Sequence, residues 1–165
     1  MIIAISGSVG SGKTTVAQAF SDVVRAECIH LTEVARAFIL EEKKDLQTFD
    51  FDLDALCEHV ERNILNSAKT QVVEGHFSHL LSPKYVDCVF VLNRDLKELR
   101  LEYEKRGYSK KKIRDNLEVE SFNLCFYEAL ENGFQEGQVF VVENNTCVKD
   151  CVDKIVSKLK EVGVQ

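Results

Sequence analysis

The residues with the clearest chemistry stand near the start of the chain. The segment Gly7-Ser8-Val9-Gly10-Ser11-Gly12-Lys13-Thr14 has glycine, lysine and threonine at each position that a phosphate-binding P-loop requires. Glycines let backbone N–H groups turn toward phosphate oxygens, and a helix that begins after them adds a favourable dipole. We expect Lys13 to neutralise phosphate charge and the Thr14 hydroxyl to coordinate Mg²⁺. The predicted ATP contacts are Gly10, Ser11, Gly12, Lys13, Thr14 and Thr15. The alternative is a glycine-rich turn with a surface lysine.

The segments on either side of this loop predict how it is held. Met1 to Ser6 indicates a buried strand because its apolar residues do not alternate with polar ones. After the loop, helical spacing predicts an amphipathic helix whose apolar residues are Val16, Ala19, Phe20, Val23 and Val24. Further strands are predicted at 28–31, 71–74, 86–92 and 138–142. Alternating strands and helices indicate an α/β P-loop NTPase with a parallel five-stranded sheet and helices on both faces.

Helices are predicted in the remaining intervals. Two of them are expected to be capped, one by Thr32 and one by Asp95. The final helix is marked by an apolar stripe at Val152, Ile155, Val156 and Leu159. The other predicted helices cover 32–41, 53–64, 95–106 and 109–132.

Size and composition fit one domain spanning residues 1–165. The chain has a mass of 18.7 kDa and is 45% hydrophobic. Its net charge of −6 gives no global field for binding a nucleic-acid backbone, although the window 94–114 holds nine Lys/Arg against four Asp/Glu. No apolar run approaches the ~20 residues of a membrane span, so we expect a cytoplasmic protein, or a nuclear one in a eukaryote. The six cysteines lack the paired spacing of a zinc site and are interpreted as reduced structural thiols.

Two side chains near the strand predicted at 71–74 are candidates for arranging metal, water or acceptor. Glu74 closes that strand at its carboxyl end, where parallel sheets bind ligands, and we expect it to hold Mg²⁺ through water. The alternative is that Glu74 has no catalytic role and its charge only caps the end of the strand. His76 could orient water or relay a proton, and a loop histidine with satisfied hydrogen bonds explains it nearly as well. His79 follows three residues later, but no further ligands at suitable spacing support zinc.

Arginines supply the remaining candidates. Arg36, one turn into the helix predicted at 32–41, is placed to grip an acceptor α-phosphate with its guanidinium fork. A solvent-facing arginine is the alternative. Arg106 precedes Gly107, which suggests a hinge that carries a cation over the phosphates when a lid closes. The lysines at 110–112 could meet ATP phosphates, ribosomal RNA or neither.

The chain resembles the adenylate kinase isoenzyme 6 family, and in particular its archaeal members. These are small nucleoside monophosphate (NMP) kinase-like ATPases linked to maturation of the small ribosomal subunit. A guanine-reading Asn-Lys-x-Asp element, which GTPase switches need, is missing. The resemblance covers nearly the whole chain and rests on five blocks in family order, at Gly7–Thr15, Leu31–Arg36, Val72–His76, Lys105–Tyr108 and Lys111–Asn116.

The resemblance implies a short NMP-binding segment at about 30–53 and a small lid at about 105–115. It also implies that Thr32 and Arg36 contact the NMP, and that the loop around Asn145 packs against adenine. A simple turn explains that loop equally well. The family usually has Asp-Tyr-His where this chain has the segment 74–76, and often an arginine near Glu102.

We therefore expect an Mg²⁺-dependent NMP kinase that converts ATP and AMP to two ADP, with ATPase activity, as a monomer. The expected catalytic residues are Lys13, Glu74, His76 and Arg106. One alternative is a ribosome assembly ATPase with vestigial kinase activity that binds a small-subunit ribosomal protein or pre-ribosomal RNA. The other is a P-loop kinase of another small metabolite.

Overall fold

A parallel five-stranded sheet forms the centre of the molecule. The computed structural model describes residues 1–43 and 48–163, and its main sheet has the strand order β2-β5-β1-β6-β7. All four pairings between neighbouring strands are parallel, and each strand lies within two residues of its predicted position. The α/β fold and its five-stranded sheet are thus confirmed. The strands, numbered in chain order, are β1 (Ile2–Gly7), β2 (Glu27–His30), β5 (Gln71–Glu74), β6 (Cys88–Asn93) and β7 (Val139–Glu143).

The central strand β1 is covered on both faces, which explains why its sequence does not alternate. Ile3 and Ile5 pack on one face together with Phe20. Ile2 and Ala4 pack on the opposite face. Each large apolar side chain buried in this way stabilises the fold by about 1.5–3 kcal/mol. The strand that leads into the glycine-rich loop is therefore anchored on both sides.

Seven α-helices are present in the described residues. The first, α1, begins directly after the loop and buries Val16, Ala17 and Phe20. The predicted apolar face is therefore rotated, because Val23 is 61% exposed. None of the helices in residues 1–43 and 48–163 has the length and apolarity that crossing a bilayer requires. The helices are α1 (Lys13–Val24), α2 (Leu31–Ala35), α3 (Leu53–His59), α4 (Leu96–Lys105), α5 (Lys110–Ser121), α6 (Leu124–Glu131) and α7 (Val148–Glu161).

The bounds predicted for the helix over 32–41 are wrong, because the helix ends at Ala35. Helix α2 begins at Leu31 with His30 at its N-cap position, so Thr32 lies inside the first turn rather than capping it. A 3₁₀ turn follows at Arg36–Phe38, and the chain then forms strand β3 (Ile39–Lys43). Strand β3 pairs in antiparallel fashion with β4 (Thr48–Phe51), and this pairing overrides the local helical pattern.

The helix predicted over 109–132 is interrupted. Helix α5 ends at Ser121 and α6 begins at Leu124, because Asn123 adopts a left-handed conformation with φ of 50°. The side-chain amide of Asn93, at the end of β6, donates to the Asn123 side-chain oxygen and fixes this break. The cap predicted at Asp95 is confirmed, since its carboxylate accepts backbone N–H groups of Lys97 and Glu98. Only residues 106–109 separate α4 from α5.

Candidate active site

The glycine-rich loop joins β1 to α1 at the carboxyl edge of the sheet. Gly10 and Gly12 have φ values of 81° and 90°, in the left-handed region that favours glycine. A Cβ atom on Gly7 would lie 2.4 Å from the Leu92 carbonyl oxygen, so the close approach of the loop to β6 requires glycine there. Helix α1 starts at Lys13 without a side-chain cap, which leaves N–H groups and a positive dipole end to meet an anion.

Three side chains outside the loop hold it in shape. The Tyr103 hydroxyl donates to the Val9 carbonyl oxygen over 2.5 Å. The guanidinium group of Arg94 donates to the Gly10 oxygen over 3.1 Å, and the Asn144 amide donates to the Ser11 oxygen over 2.8 Å. These bonds satisfy the carbonyl groups of Val9, Gly10 and Ser11 and hold the loop in its curved form.

Lys13 folds back on the loop. Its ammonium group donates to the carbonyl oxygens of Gly7 and Ser8 over 3.0 and 2.7 Å. Burial lowers the pKa of Lys13 to about 8, and the nearby carboxylate of Glu74 only partly opposes this effect. An incompletely compensated cation in this position favours a ligand that brings negative charge, such as a phosphate group.

Glu74 and Thr14 bring two oxygen donors together beside Lys13. Glu74 ends β5 and is 3% exposed, and its Oε1 atom accepts the Thr14 hydroxyl over 3.2 Å. His30, which lies opposite Glu74 in the β2–β5 register, contacts the same oxygen over 2.8 Å. A hydroxyl and a carboxylate are hard oxygen donors of the type that Mg²⁺ binds, and Mg²⁺ keeps water and phosphate oxygens as its other ligands. The chemistry of this pair therefore fits Mg²⁺.

Two adjoining cavities lie along the loop. The first has a volume of about 540 Å³. The second measures about 620 Å³ and shares Gly12, Thr15 and Arg94 with the first. The first cavity contains the cations Lys13 and Arg106 at the phosphate loop. The second contains the amides of Asn144 and Asn145 and two acidic side chains. Of the residues predicted from the sequence, Asn145 lines the second cavity. The predicted residues that line the first cavity are Gly10, Gly12, Lys13, Thr14, Thr15, Thr32, Glu74, His76 and Arg106.

Two predicted residues stand apart from the cavity walls. The Ser11 side chain is fully buried and its hydroxyl has no hydrogen-bond partner in the described residues, so only the backbone of Ser11 is available to a ligand. Arg36 is exposed on the 3₁₀ turn after α2 and is not among the cavity-lining residues that the structure describes. The part of the predicted NMP-binding segment at 44–47 lies outside the described residues.

His76 and His79 have separate environments. The Nδ1 atom of His76 lies 3.2 Å from the Gly7 carbonyl oxygen, which can only accept, so Nδ1 carries the proton. Burial lowers the pKa of His76, and the charge of Lys13 lowers it further. His76 is therefore a neutral acceptor at Nε2, whereas His79 is buried and does not line the cavity.

Arg106 enters the first cavity from the end of α4. Its Nε atom donates to the Glu102 carboxylate over 2.9 Å. The side chains of Arg106 and Glu102 both line the first cavity. Glu102, near which the family resemblance implies a second arginine, is thus an acid that engages Arg106.

Sequence reasoning missed two residues of this site. Arg94 lines both cavities and touches the loop, and His30 contacts Glu74. Arg94 directly follows β6, which neighbours β1 in the sheet, and His30 ends β2, which neighbours β5. The rule that ligands bind at the carboxyl ends of parallel strands, which selected Glu74, also covers these positions. The fold and the joined cavities define a P-loop protein of the kinase type.

Comparisons with known proteins identify the family. Residues 3–123 match a family model described as an AAA domain. The chain is 32% identical to a Methanocaldococcus jannaschii protein named "Putative adenylate kinase", over 97% of this chain and 86% of that protein. It is 33% identical to an adenylate kinase isoenzyme 6 homolog of Schizosaccharomyces pombe, over 79% of this chain and 72% of that protein. The chain belongs to the adenylate kinase isoenzyme 6 family.

Solved structures show the same fold at low identity. Shikimate kinase from Aquifex aeolicus superposes with a TM-score of 0.64 at 13% identity, over 99% of both chains. A gluconokinase from Sinorhizobium meliloti gives 0.62 at 14% identity, over 97% of this chain and 91% of the other. These neighbours establish a P-loop kinase fold.

Proposed function

We propose that the protein is an adenylate kinase that transfers the γ-phosphoryl group of ATP to AMP, with Mg²⁺ as its cofactor. The observation that carries this proposal is the pair of adjoining cavities, which share Gly12, Thr15 and Arg94. The first cavity suits a triphosphate, and the second, at Asn145, suits the adenine of the same nucleotide. The names of the relatives favour AMP as the acceptor.

The reaction moves negative charge and needs little covalent chemistry from the protein. An oxygen of the AMP α-phosphate attacks the γ-phosphorus, the bond to the β,γ-bridging oxygen breaks, and two ADP molecules leave. Lys13, Arg94 and Arg106 supply positive charge along this path. Mg²⁺ held near Thr14 and Glu74 would neutralise the β- and γ-phosphate oxygens. The neutral imidazole of His76 accepts a hydrogen bond from a water or from the acceptor.

The proposed binding of AMP requires the site to close around it. Thr32 lines the cavity, whereas Arg36 lies on the adjoining 3₁₀ turn outside its wall. We propose that α2 and the 3₁₀ turn at Arg36–Phe38 move toward the phosphate loop when AMP binds and bring Arg36 to its α-phosphate. Until closure excludes water, water competes with AMP for the γ-phosphoryl group, and this competition accounts for the proposed ATPase activity.

Measurement of ADP formation tests the proposal. The protein is mixed with MgATP and with AMP, CMP, UMP, GMP, shikimate or gluconate, and each mixture is compared with an ATP-alone control. We expect AMP to give the largest increase in ADP. No increase with AMP would contradict adenylate kinase activity, and phosphorylation of a different acceptor would identify a kinase of that compound.

A pair of arginine variants tests the acceptor site. Arg36→Ala should raise the KM for AMP by at least about tenfold, since a charged hydrogen bond contributes about 1.5–3 kcal/mol. The ATPase rate without AMP should stay unchanged. Arg62→Ala removes an exposed arginine paired with Glu58 and serves as the matched control. Equal effects of the two substitutions would exclude Arg36 from acceptor binding.

A second candidate function is nucleotide-controlled assembly of the small ribosomal subunit. It is favoured by exposed Lys110 and Lys111 at the start of α5, together with Phe122, which is exposed just beyond its end. A pulldown from cell extract with and without ATP, probed for small-subunit ribosomal proteins and pre-ribosomal RNA, tests it. Absence of any nucleotide-sensitive ribosomal component would contradict this function.

A further inference from the structure

A buried polar cluster beneath the phosphate loop takes no part in the proposed reaction. His79 is 2% exposed, with Nδ1 lying 2.6 Å from the Ser6 hydroxyl and Nε2 lying 2.8 Å from the Glu128 carboxylate. Cys125 lies one turn before Glu128 on α6, and its thiol is hydrogen-bonded to Ser6. One ligand atom from each of His79, Cys125 and Glu128 lies within 4.8 Å of the other two.

We infer that His79, Cys125 and Glu128 form a binding site for Zn²⁺, with water as the fourth ligand. Thiolate, imidazole and carboxylate are the donors that Zn²⁺ uses, and a thiolate disfavours Mg²⁺ and Ca²⁺. At zinc bond lengths of about 2.0–2.3 Å, tetrahedral ligand atoms lie about 3.5 Å apart. The distances between the ligand atoms therefore need to change by only about 1 Å, with His79 and Glu128 moving slightly apart. The Glu128 side chain is 48% exposed, which gives the ion and the water a route from solvent.

Ser6 allows the cluster to exist with and without the ion. Without it, the Ser6 hydroxyl donates to His79 Nδ1 and the Nε2–H group donates to Glu128. With it, the proton moves to Nδ1 and is donated to the Ser6 oxygen, which leaves Nε2 free to bind zinc. The Ser6 hydroxyl then donates to the Cys125 thiolate. Zinc-bound histidines commonly donate their second ring N–H to an oxygen in this way.

The charges of the site balance when zinc binds. A cysteine thiol that binds no metal is protonated near pH 7, and the hydrogen bonds described above place a neutral imidazole between Ser6 and Glu128. Zinc binding displaces the thiol proton, and one proton is released to solvent for each ion bound. The thiolate and the Glu128 carboxylate then cancel the two charges of Zn²⁺. The complex is neutral, so the positive charge of nearby Lys13 does not oppose it.

Cobalt titration of the folded protein tests the site. Because Co²⁺ takes the same tetrahedral ligands and is coloured, it is added to chelator-treated protein without nucleotide, since phosphates bind metals. We expect one equivalent to give near-ultraviolet thiolate-to-cobalt absorption and visible bands of tetrahedral intensity. Added Zn²⁺ should remove both signals, and a pH indicator should report one proton released per ion. Absence of the thiolate band, or a stoichiometry other than one, would overturn the inference.

Matched variants assign the signal to these residues. Cys125→Ser should abolish the thiolate band, whereas Cys151→Ser, on the far side of the sheet, should keep it. Glu128→Gln changes a half-exposed side chain, does not threaten folding, and should weaken cobalt binding at least tenfold. Ser6→Ala should weaken it roughly 10- to 100-fold through loss of the histidine partner. Full cobalt affinity in Glu128→Gln, or a thiolate band in Cys125→Ser, would show that the ion binds elsewhere. The outcome is independent of ATP binding and of adenylate kinase activity.

Discussion

Replacing Lys13 by methionine should stabilise the nucleotide-free protein while abolishing ATP binding. Burial lowers the pKa of this lysine from 10.5 to about 8, so folding disfavours its charged form. At about 1.4 kcal/mol per pKa unit, this shift destabilises the fold by about 3 kcal/mol at pH 7. Methionine has a similar length and no charge. The variant also loses the two hydrogen bonds from Lys13 to loop carbonyl groups. Each contributes about 1 kcal/mol to stability, and their loss reduces the gain accordingly. The net gain at pH 7 should therefore be about 1 kcal/mol.

The pH dependence isolates the charge from the hydrogen bonds. Because the folded-state pKa of Lys13 lies below its unfolded value, the unfolded chain binds more protons between pH 8 and pH 10.5. The stability of the unmodified protein therefore rises relative to that of the variant over this range. The advantage of Lys13→Met should be full below pH 8 and should fall by about 3 kcal/mol by pH 10.5.

Urea unfolding between pH 7 and pH 10.5 measures the difference, and calorimetry with MgATP measures binding. Lys97→Met, which removes an exposed lysine from α4, is the control and should change the free energy of unfolding by less than about 0.5 kcal/mol. We expect ATP affinity to fall at least about 100-fold in Lys13→Met only, which corresponds to about 2.7 kcal/mol. If the stability difference stays constant with pH, the charge of Lys13 is not desolvated and the reasoning fails.

Three further substitutions test other parts of the site. Glu74→Gln should lower MgATP turnover at least tenfold and raise the Mg²⁺ concentration needed for half-maximal rate; an unchanged Mg²⁺ dependence would remove Glu74 from the metal site. Gly7→Ala should destabilise the fold by at least about 2 kcal/mol, because the new Cβ meets a backbone oxygen at 2.4 Å. The control Gly137→Ala places its Cβ in open space and should leave the stability unchanged, and thermal unfolding measures both variants. Glu102→Arg should release Arg106 and tighten ATP binding about three- to tenfold in calorimetry, an effect that added salt reduces. Weaker ATP binding in that variant would contradict the inferred role of Glu102.

The parts of the site that could be predicted are those built from neighbouring residues. The phosphate loop is contiguous, and the apolar strand before it and the helix after it are encoded locally, so Lys13 and Thr14 could be selected from the sequence, and both line the first cavity. Glu74 could be selected because it ends an apolar segment, and strand ends meet at one edge of a parallel sheet. Even there, the contact between Glu74 and His30 depends on β2 pairing with β5.

The parts that could not be predicted depend on distant pairing. Residues 39–43 continue a helical pattern locally, and only their pairing with 48–51 makes them a strand. His79 and Cys125 are 46 positions apart, so ligand spacing could not reveal that the packing of α6 brings them together. Arg94 belongs to a charged window in the sequence, and its contact with Gly10 follows from the β1–β6 register. Periodicity alone contains none of this information.

Contacts from α4 and α5 to the phosphate loop indicate how the helices and the loop act together. Tyr103 on α4 holds the Val9 carbonyl group, and Glu120 on α5 accepts the Ser8 hydroxyl. Both helices flank the turn at 106–109, which carries Arg106 toward the phosphates. Because the loop already has its curved form, ATP binding does not have to order it, and less of the binding energy is lost. The same bonds mean that a movement of the turn at 106–109, the expected lid hinge, would act directly on the phosphate loop.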